Sequence, residues 1–318
     1  MAKAKKIIVG SRGSKLALIQ TNWVISELKR LNPKLEFQIE KVSTKGDKIT
    51  DAPLSRLGGV GLFTKELEAA LIKGKIDIAV HSAKDVPTEI AEGLTIGATP
   101  KREDPHDVLI SNNNATLEKL PDNARIGTSS LRRRAQLLAF RPDFKILDLR
   151  GNLDTRLKKL DTDDMDAIIV AYAGLIRMGY DGRISQIIPF EIMLPAVGQG
   201  SLCIEIRKDD ALTEKIVSGM DDPQTRVAIE AERALLAKLQ GGCQVPIGAY
   251  AQILKKEVCI EAIICTLEGD HAIRDRHSGP VKQAAKIGNE LAMRMLENGG
   301  DRILHDIRQE FQGRIDHL

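Results

Sequence analysis

A strand, a short polar turn and a helix follow one another repeatedly along the first half of the chain. Residues 7–9 form a short apolar run, residues 10–14 are a polar turn, and residues 16–31 have helical periodicity that ends before Pro33. Short predicted strands followed by polar turns recur at residues 76–80, 125–127, 145–149 and 167–170. Alternating strands and helices of this kind build doubly wound sheets, so the pattern predicts an α/β fold.

The length of 318 residues is sufficient for two or three domains, each with its own core. Residues 189–200 read as a return crossing, and the strand predicted at 201–207 would bring the chain back to the first sheet. We therefore expect a discontinuous first domain (1–100 and 200–220), an inserted second domain (101–199) and a final domain (221–318). Alternating strands at 247–254 and 258–267 and a helix at 281–297 indicate a smaller α/β domain with an antiparallel sheet.

Residues 43–61 form a charged, glycine-rich segment between the strand predicted at 35–42 and the helix predicted at 63–72. The segment has no periodicity of its own, and a loop of that length is typical of a mobile lid.

Basic residues recur at the carboxyl ends of the predicted strands, although the chain as a whole is nearly neutral, with 47 Lys and Arg against 44 Asp and Glu. In a doubly wound sheet these ends lie along one rim, where helix amino termini also favour anions. The residues concerned are Arg12, Lys84, Arg132, Arg133, Arg150, Arg156 and Arg177. The pattern predicts a site for several carboxylates or phosphates.

Three consecutive arginines open the helix after residue 130. Successive helical positions differ by about 100°, so the three cannot all face one ligand. We expect Arg132 and Arg133 to face it, with Thr128, Ser129 and Ser130 as additional donors, and Arg134 to form an ion pair instead.

Lys84 and Asp85 follow the buried strand predicted at 76–80, and Pro87 keeps the preceding residue extended. A neighbouring lysine and aspartate usually form a solvated pair that contributes little to stability. After a buried strand, we expect them to point into a crevice.

A single cysteine lies in residues 239–248, LQGGCQVPIG, which we call the cysteine turn. Asp222 and Pro223 start a helix with an apolar face, and we expect Gly241 or Gly242 to end it in the left-handed conformation and to leave Cys243 uncrowded. Taken alone, a free cysteine is more often a buried apolar residue.

The other cysteines are Cys203, Cys259 and Cys265. The four cysteines contain no CxxC pair, and no histidine lies at metal-ligand spacing, which argues against zinc and against a disulfide framework. Cys259 and Cys265 lie in a strand-like run, where we expect them to pack in the interior. No metal site is predicted.

Four segments, in this order and spacing, resemble the porphobilinogen deaminase (hydroxymethylbilane synthase) family. They are GSRGSKLA at 10–17, HSAKDVP at 81–87, GTSSLRR at 127–133 and the cysteine turn. The resemblance implies two periplasmic-binding-protein-like doubly wound α/β domains plus a smaller C-terminal α/β domain that holds the cysteine. Ala83 stands where many relatives carry methionine. Residues 298–318 are the part that matches least, and no role is assigned to them.

The resemblance implies a transferase of tetrapyrrole and haem biosynthesis. Porphobilinogen units are condensed head to tail, ammonia is lost at each step, and hydroxymethylbilane is released by hydrolysis. A dipyrromethane cofactor, attached to Cys243 through a thioether, would serve as a permanent primer. Loss of ammonia leaves an electron-poor azafulvene, and the carboxylate of Asp85 would stabilise its positive nitrogen and assist proton transfer.

The remaining site residues are predicted from the same resemblance. Cofactor binding is expected from Lys84, Ser82, Thr128, Ser130, Arg132 and Arg133. Substrate binding is expected from Arg12, Ser14, Arg150, Arg156 and Arg177, because each pyrrole carries an acetate and a propionate. Phe63 and Gln199 are expected at the lid or cleft.

The alternative class is a non-catalytic two-domain binding protein that captures a small polycarboxylate. A nucleic-acid partner is disfavoured, since aromatic residues are 3% of the chain and the basic residues are not interleaved with them. The apolar run at residues 7–9 is too short for a secretory signal core or a membrane span. We therefore expect a cytoplasmic protein with neither a nucleic acid nor a membrane as partner, and the resemblance implies a monomer that binds porphobilinogen.

Overall fold

The computed structural model describes residues 6–48, 61–242 and 245–315. The strands, in chain order, are β1 (Lys6–Arg12), β2 (Glu36–Val42), β3 (Ile78–Ser82), β4 (Leu94–Ala98), β5 (Asp107–Ser111), β6 (Arg125–Gly127), β7 (Lys145–Leu147), β8 (Ala167–Ala171), β9 (Gln186–Ile187), β10 (Leu202–Arg207), β11 (Ile247–Leu254), β12 (Glu257–Cys265) and β13 (Ala272–Pro280).

The α-helices are α1 (Lys15–Leu31), α2 (Lys45–Lys48), α3 (Lys65–Ile72), α4 (Leu131–Phe140), α5 (Leu153–Thr162), α6 (Tyr172–Met178), α7 (Ala211–Val217), α8 (Pro223–Lys238), α9 (Ala284–Met295) and α10 (Asp301–Ile315). None of the helices in the described ranges is long and apolar enough to cross a membrane.

The first sheet has five strands in the order β2-β1-β3-β10-β4. β1 runs parallel to β2 and β3, whereas β10 is antiparallel to both β3 and β4. Apolar residues of α1 and α7 are buried against one face, and those of α3 against the other. The sheet is therefore doubly wound, and the strand predicted to return to it is confirmed as β10.

The second sheet also has five strands, in the order β7-β6-β8-β5-β9. β6 is parallel to β7 and β8, and β5 is antiparallel to β8 and β9. Leu137 of α4 packs on one face, while Leu157 of α5 and Leu175 of α6 pack on the other. Helices on both faces give this sheet the same doubly wound architecture.

The final part of the chain contains the three-stranded antiparallel sheet β11-β12-β13. Residues of α8, α9 and α10 bury their apolar sides in one core with this sheet. The predicted fold class, two doubly wound α/β sheets and a smaller α/β part with an antiparallel sheet, is confirmed.

Helix starts follow from local sequence. Ser14, Ser130 and Asn152 accept hydrogen bonds through their side chains from the backbone of the first turns of α1, α4 and α5. Asp222 accepts from the N–H of Thr225 at 2.8 Å, as predicted from Asp222-Pro223. These caps place the polar residues of each turn at a strand end.

The chain divides into two compact units, which are described separately. The first comprises residues 1–50, 59–103 and 200–226, and the second comprises residues 51–58, 104–199 and 227–318. The first sheet lies in the first unit, and the other two sheets lie in the second. The predicted three-domain boundaries remain a prediction.

Several elements were not predicted from the sequence: β4, β5, β9, β13, α7 and α10. Of these strands, β13 is polar and half exposed and β9 has two residues, so neither has a clear apolar pattern. The helix predicted at 281–297 is α9, with a 3-10 turn at Val281–Gln283 before it and a π-helical segment at Leu296–Gly300 after it. Of the predicted lid at 43–61, residues 45–48 form α2, and residues 49–60 lie outside the described residues.

Candidate active site

In the first unit, the carboxyl ends of two neighbouring parallel strands bring two predicted site residues together. β1 ends at Arg12, and β3 is followed by a 3-10 turn, Ala83–Asp85. Arg12 Nη1 lies 3.7 Å from Asp85 Oδ2, which is an ion pair longer than a hydrogen bond. The side chain of Asp85 keeps 30% of its surface exposed. Asp85 is therefore both paired with a cation and accessible.

Arg12 is held more tightly by a second carboxylate. Its Nη2 lies 2.6 Å from Asp47 Oδ1, and its guanidinium lies over the ring of Phe63, with the carbon 4.1 Å from the ring centroid. Thr44 Oγ1 donates to Asp47 Oδ2 at 2.8 Å. Although burial acts in the opposite direction, the hydrogen bonds from Arg12 and Thr44 lower the pKa of Asp47. Arg12 is thus fixed beside Asp85 by residues that lie far apart in sequence.

Each of the two predicted serines of this unit has a hydrogen-bond partner within the unit. Ser14 caps α1 and accepts from the N–H of Ala17 at 3.3 Å. Gln20 Nε2 donates to Ser82 Oγ at 3.1 Å. Lys84 lies exposed in the same turn as Asp85. Sequence reasoning missed Asp47 and Gln20, since neither lies in a strand-end turn.

In the second unit, a buried carboxylate organises the two arginines that were expected to face a ligand. Asp107, at the start of β5, has no exposed surface, and Arg132 and Arg133 are each 5% exposed. Arg132 Nη1 donates to Asp107 Oδ2 at 2.7 Å, and Arg133 Nη2 donates to Asp107 Oδ1 at 2.8 Å. We call these three residues, with Gln199, the Asp107 cluster.

The remaining contacts of the cluster are also internal. Arg132 Nη1 donates to the carbonyl of Leu194 at 2.7 Å, Arg133 Nη1 donates to the carbonyl of Ile169 at 3.0 Å, and Gln199 Nε2 donates to Asp107 Oδ1 at 3.0 Å. Although burial acts to raise it, the charges of Arg132 and Arg133 hold the pKa of Asp107 well below its ordinary value.

These contacts give Arg132 and Arg133 a structural role that the sequence did not predict. Their part in cofactor binding, and that of Gln199 at the cleft, remain predictions. The signal that could have found Asp107 is an acidic residue directly before the apolar run Val-Leu-Ile, where a buried charge needs a partner.

Arg134 behaves as expected from the helical period. Its Nη2 lies 2.8 Å from Glu268 Oε1, and this ion pair joins α4 to the turn between β12 and β13. Gly269 in that turn has φ +71°, and a Cβ there would lie 2.2 Å from the carbonyl oxygen of Ala135. The predicted ion pair of Arg134 is confirmed.

Arg156, in the first turn of α5, lies in a cationic environment. Burial and the like charges of Arg133 and Arg150 lower its pKa to about 10. Its Nε donates to the carbonyl of Gly151 at 2.9 Å, so the side chain folds back over the amino terminus of the helix. We call Arg133, Arg150 and Arg156 the Arg156 cluster. An anion bound there would relieve repulsion among these cations.

The other predicted residues of this unit lie in the turn before α4 and in α6. Thr128 is buried and accepts from the N–H of Ser130 at 3.2 Å, and Ser130 caps α4. Arg177 lies in the last turn of α6 and is half-buried. These hydroxyls are engaged in local structure, and their predicted roles toward a ligand remain predictions.

Cys243 and Gln244 lie outside the described residues.

The left-handed residue that follows α8 is neither of the two glycines expected there. Gln240, with φ 49°, is in the left-handed conformation, whereas Gly241 and Gly242 are not. A Cβ at Gly241 would lie 2.4 Å from Leu236 Cδ1, so a larger residue there would require the Leu236 side chain to move.

The other cysteines are buried or half-buried. Cys203 and Cys265 have almost no exposed surface, and Cys259 is half-buried in β12. Burial raises the pKa of Cys265 to about 12, so its thiol is not a nucleophile at neutral pH. The predicted packing role of Cys265 is confirmed.

Comparison with known proteins gives consistent matches over most of the chain. The family model described as "Porphobilinogen deaminase, dipyromethane cofactor binding domain" matches residues 7–215, and "Porphobilinogen deaminase, C-terminal domain" matches residues 227–297. The porphobilinogen deaminase of Desulforamulus reducens is 50% identical over 303 residues, which cover 95% of this chain and 98% of that protein. That of Pelotomaculum thermopropionicum is 50% identical over 306 residues, which cover 96% and 98%.

Among solved structures, the periplasmic aliphatic sulphonate binding protein of Escherichia coli is similar with a TM-score of 0.40 and 12% identity, over 75% of this chain and 71% of that chain. A similarity at this level carries no argument, so the assignment rests on the sequence comparisons.

The two doubly wound sheets, an accessible aspartate beside an arginine and the Arg156 cluster define an α/β protein suited to anionic ligands. The family models and the relatives identify a particular family within that class. The chain belongs to the porphobilinogen deaminase family.

Replacing Asp107 with asparagine should destabilise the protein by ~3–5 kcal/mol, because the variant leaves two buried arginines without a counter-charge. Since the folded-state pKa of Asp107 is lowered, its contribution to stability is present above pH ~4 and is lost as the pH falls below that value. Denaturant unfolding between pH 2 and 7 should show a difference between wild type and Asp107→Asn that narrows below pH ~4.

Asp122→Asn is the matched control, since Asp122 is 97% exposed and pairs with Arg141 at 3.4 Å. Its effect should stay within ~0.5 kcal/mol. Equal unfolding midpoints for Asp107→Asn and wild type at neutral pH would contradict the assigned role of Asp107.

Proposed function

We propose that this chain catalyses the porphobilinogen deaminase reaction as a transferase: stepwise condensation of porphobilinogen, loss of ammonia and release of hydroxymethylbilane for tetrapyrrole biosynthesis. Family membership over most of the chain supports the reaction. The observation that carries the proposal in the structure is the accessible carboxylate of Asp85, 3.7 Å from Arg12, and the Arg156 cluster supplies further positive charge.

The substrate chemistry matches that cluster. Every pyrrole unit brings an acetate and a propionate, so the growing chain is a polyanion. The guanidinium group of arginine binds carboxylates bidentately, and these hydrogen bonds are stronger where water is excluded. Arg150 and Arg156 are therefore proposed to bind the carboxylates of substrate, together with Arg177, Arg12 and Ser14.

The residues present also fit a dipyrromethane cofactor. The group carries carboxylates on both rings, and such a ligand would offset the repulsion that lowers the pKa of Arg156. We propose that Lys84, Ser82, Thr128 and Ser130 hold it, with Arg132 and Arg133 supplying positive charge from the Asp107 cluster. When bound, the cofactor supplies the terminal pyrrole to which the next porphobilinogen is joined.

Asp85 is proposed as the catalytic carboxylate. Its half-buried position and its 3.7 Å separation from Arg12 keep it next to a cation without a short hydrogen bond to it. A carboxylate so placed can accept a pyrrole N–H, stabilise positive charge on the ring nitrogen and move a proton at that position. Arg12, tied to Asp47, orients it.

Cys243 is proposed as the point of covalent attachment. A thioether there would keep successive substrates on one tethered chain, which gives an effective-concentration advantage. Burial and a pKa of about 12 make Cys265 unsuitable for that role, and Cys203 is buried as well. We further propose that the protein acts as a monomer, because all of the proposed site residues belong to one chain, and that it acts in the cytoplasm.

The intact mass of the denatured protein tests the attachment. After incubation with porphobilinogen, wild type should carry a surplus equal to one dipyrromethane, and Cys243→Ser should carry none. Cys259→Ser, altered at a half-buried cysteine of β12, is the matched control and should keep the surplus. A wild-type protein without surplus would favour the alternative, a non-catalytic binding protein for a small polycarboxylate.

Asp85→Asn should reduce turnover by about 100-fold or more, because the amide cannot accept a proton in the reaction. The variant should keep its fold and its covalent surplus, since the side chain has the same shape. Steady-state release of hydroxymethylbilane and the intact mass separate the two effects. Wild-type turnover in Asp85→Asn would remove Asp85 from the catalytic role.

Arg156→Leu should lower kcat/KM by ~10- to 100-fold, which corresponds to a lost charge-assisted hydrogen bond of ~1.5–3 kcal/mol. Elongation should stall, and partly extended chains should accumulate in the mass spectrum. Arg183→Leu is the matched control, because Arg183 forms a surface ion pair with Asp161 in the same unit. Unchanged kinetics for Arg156→Leu would return Arg156 to a purely structural role.

A further inference from the structure

The chain bends at the end of α8, in residues 239–241. The N–H of Gly241 donates to the carbonyl of Leu236 at 2.9 Å, and the N–H of Gln240 donates to the carbonyl of Ala237 at 2.9 Å. With Gln240 left-handed, these two bonds form a Schellman motif. The motif turns the backbone sharply at Gln240, three residues before Cys243.

The left-handed position of this motif is usually a glycine, because a side chain with a Cβ is disfavoured there. Here it is Gln240, although glycines follow at 241 and 242. A contact from outside the helix can therefore contribute to the stability of this conformation.

Arg308 makes that contact. Its Nη2 donates to the carbonyl of Leu239 at 2.8 Å and to the carbonyl of Gln240 at 3.3 Å. These carbonyls lie at the carboxyl end of α8, where helical carbonyls lack intrahelical partners and a cation is favoured. A single guanidinium thus spans both residues of the bend.

Arg308 is held in position by the helix that carries it. Ile303, Leu304 and Ile307 of α10 are each no more than 6% exposed and lie in the core shared with α8 and the antiparallel sheet. The last helix, to which the sequence assigned no role, is therefore anchored beside the bend.

We propose that Arg308 is a positioning residue for cofactor attachment: by clamping the carbonyls of Leu239 and Gln240, it fixes the direction in which the chain leaves α8 toward Cys243. This inference rests on the proposed function, in which Cys243 carries the cofactor. The attachment reaction with porphobilinogen breaks the carbon–nitrogen bond of the aminomethyl group and forms a carbon–sulfur bond, and ammonia leaves with the thiol proton.

The rate of attachment tests the proposal. Protein produced without porphobilinogen is mixed with porphobilinogen, and the gain in intact mass is followed with time. Arg308→Ala should slow the gain by ~10-fold, equivalent to ~1.4 kcal/mol. Arg308→Lys keeps the positive charge but lacks the planar guanidinium, so its attachment rate should lie between those of wild type and Arg308→Ala. Arg302→Ala, altered at an exposed arginine of the same helix that lines the same surface hollow, should match wild type.

A rescue variant separates positioning from simple docking of α10. Glycine adopts the left-handed conformation readily, so Gln240→Gly in the Arg308→Ala background should restore most of the attachment rate. An unaltered rate in Arg308→Ala, or no recovery in the double variant, would overturn the proposal. Absence of any mass gain in wild type would instead overturn the proposed function.

Amide hydrogen exchange gives a readout that does not depend on attachment. The N–H groups of Gln240 and Gly241 donate to helix carbonyls, so their exchange should be faster in Arg308→Ala and should be wild-type-like in Arg302→Ala. Equal protection in Arg308→Ala and wild type would also overturn the proposal. Exchange in the core of α10 serves as the check that the helix remains docked.

Discussion

The ion cluster at Asp107 is the interaction on which the second unit depends. One carboxylate with no exposed surface pairs with Arg132 and Arg133, and through them it connects β5, the first turn of α4 and the carbonyls of Leu194 and Ile169. Buried charges are costly unless they are paired and hydrogen-bonded, so each of these elements is needed for the others. The amino terminus of α4 is fixed by this arrangement.

The charge of Arg133 also acts beyond the Asp107 cluster. Arg133 is bonded to Asp107, yet its charge still helps to lower the pKa of Arg156. Coulomb interactions extend beyond hydrogen-bond distance and are weakly screened in a buried environment. An arginine committed to structure can therefore still increase the attraction of a surface for a polyanion.

Other parts of the site depend on contacts that are distant in sequence. Arg12 is fixed by Asp47 and Phe63, and Asp85 lies beside it because β1 and β3 are parallel neighbours. The bend before Cys243 depends in the same way on Arg308, 68 residues beyond Gln240. In each case a charged side chain from one element holds the backbone or carboxylate of another.

The sequence by itself determined the α/β class, the cap at Asp222, the return of β10 and the ion-pairing position of Arg134. These depend on local periodicity, turn chemistry and the 3.6-residue helical repeat, which are properties of short segments. It also carried the family resemblance through four motifs. It did not predict polar or short elements such as β13 and β9, whose pairing is decided by neighbouring strands.

Only the tertiary structure decided that Arg132 and Arg133 turn inward to Asp107, that Gln240 rather than a glycine ends α8, and that α10 holds the bend. Each outcome depends on which charge or carbonyl lies within a few ångströms, and strand order and helix docking set those distances. Spacing along the chain therefore identifies charged residues that could bind a ligand. The tertiary structure decides which of them instead bind carboxylates and carbonyls of the protein itself.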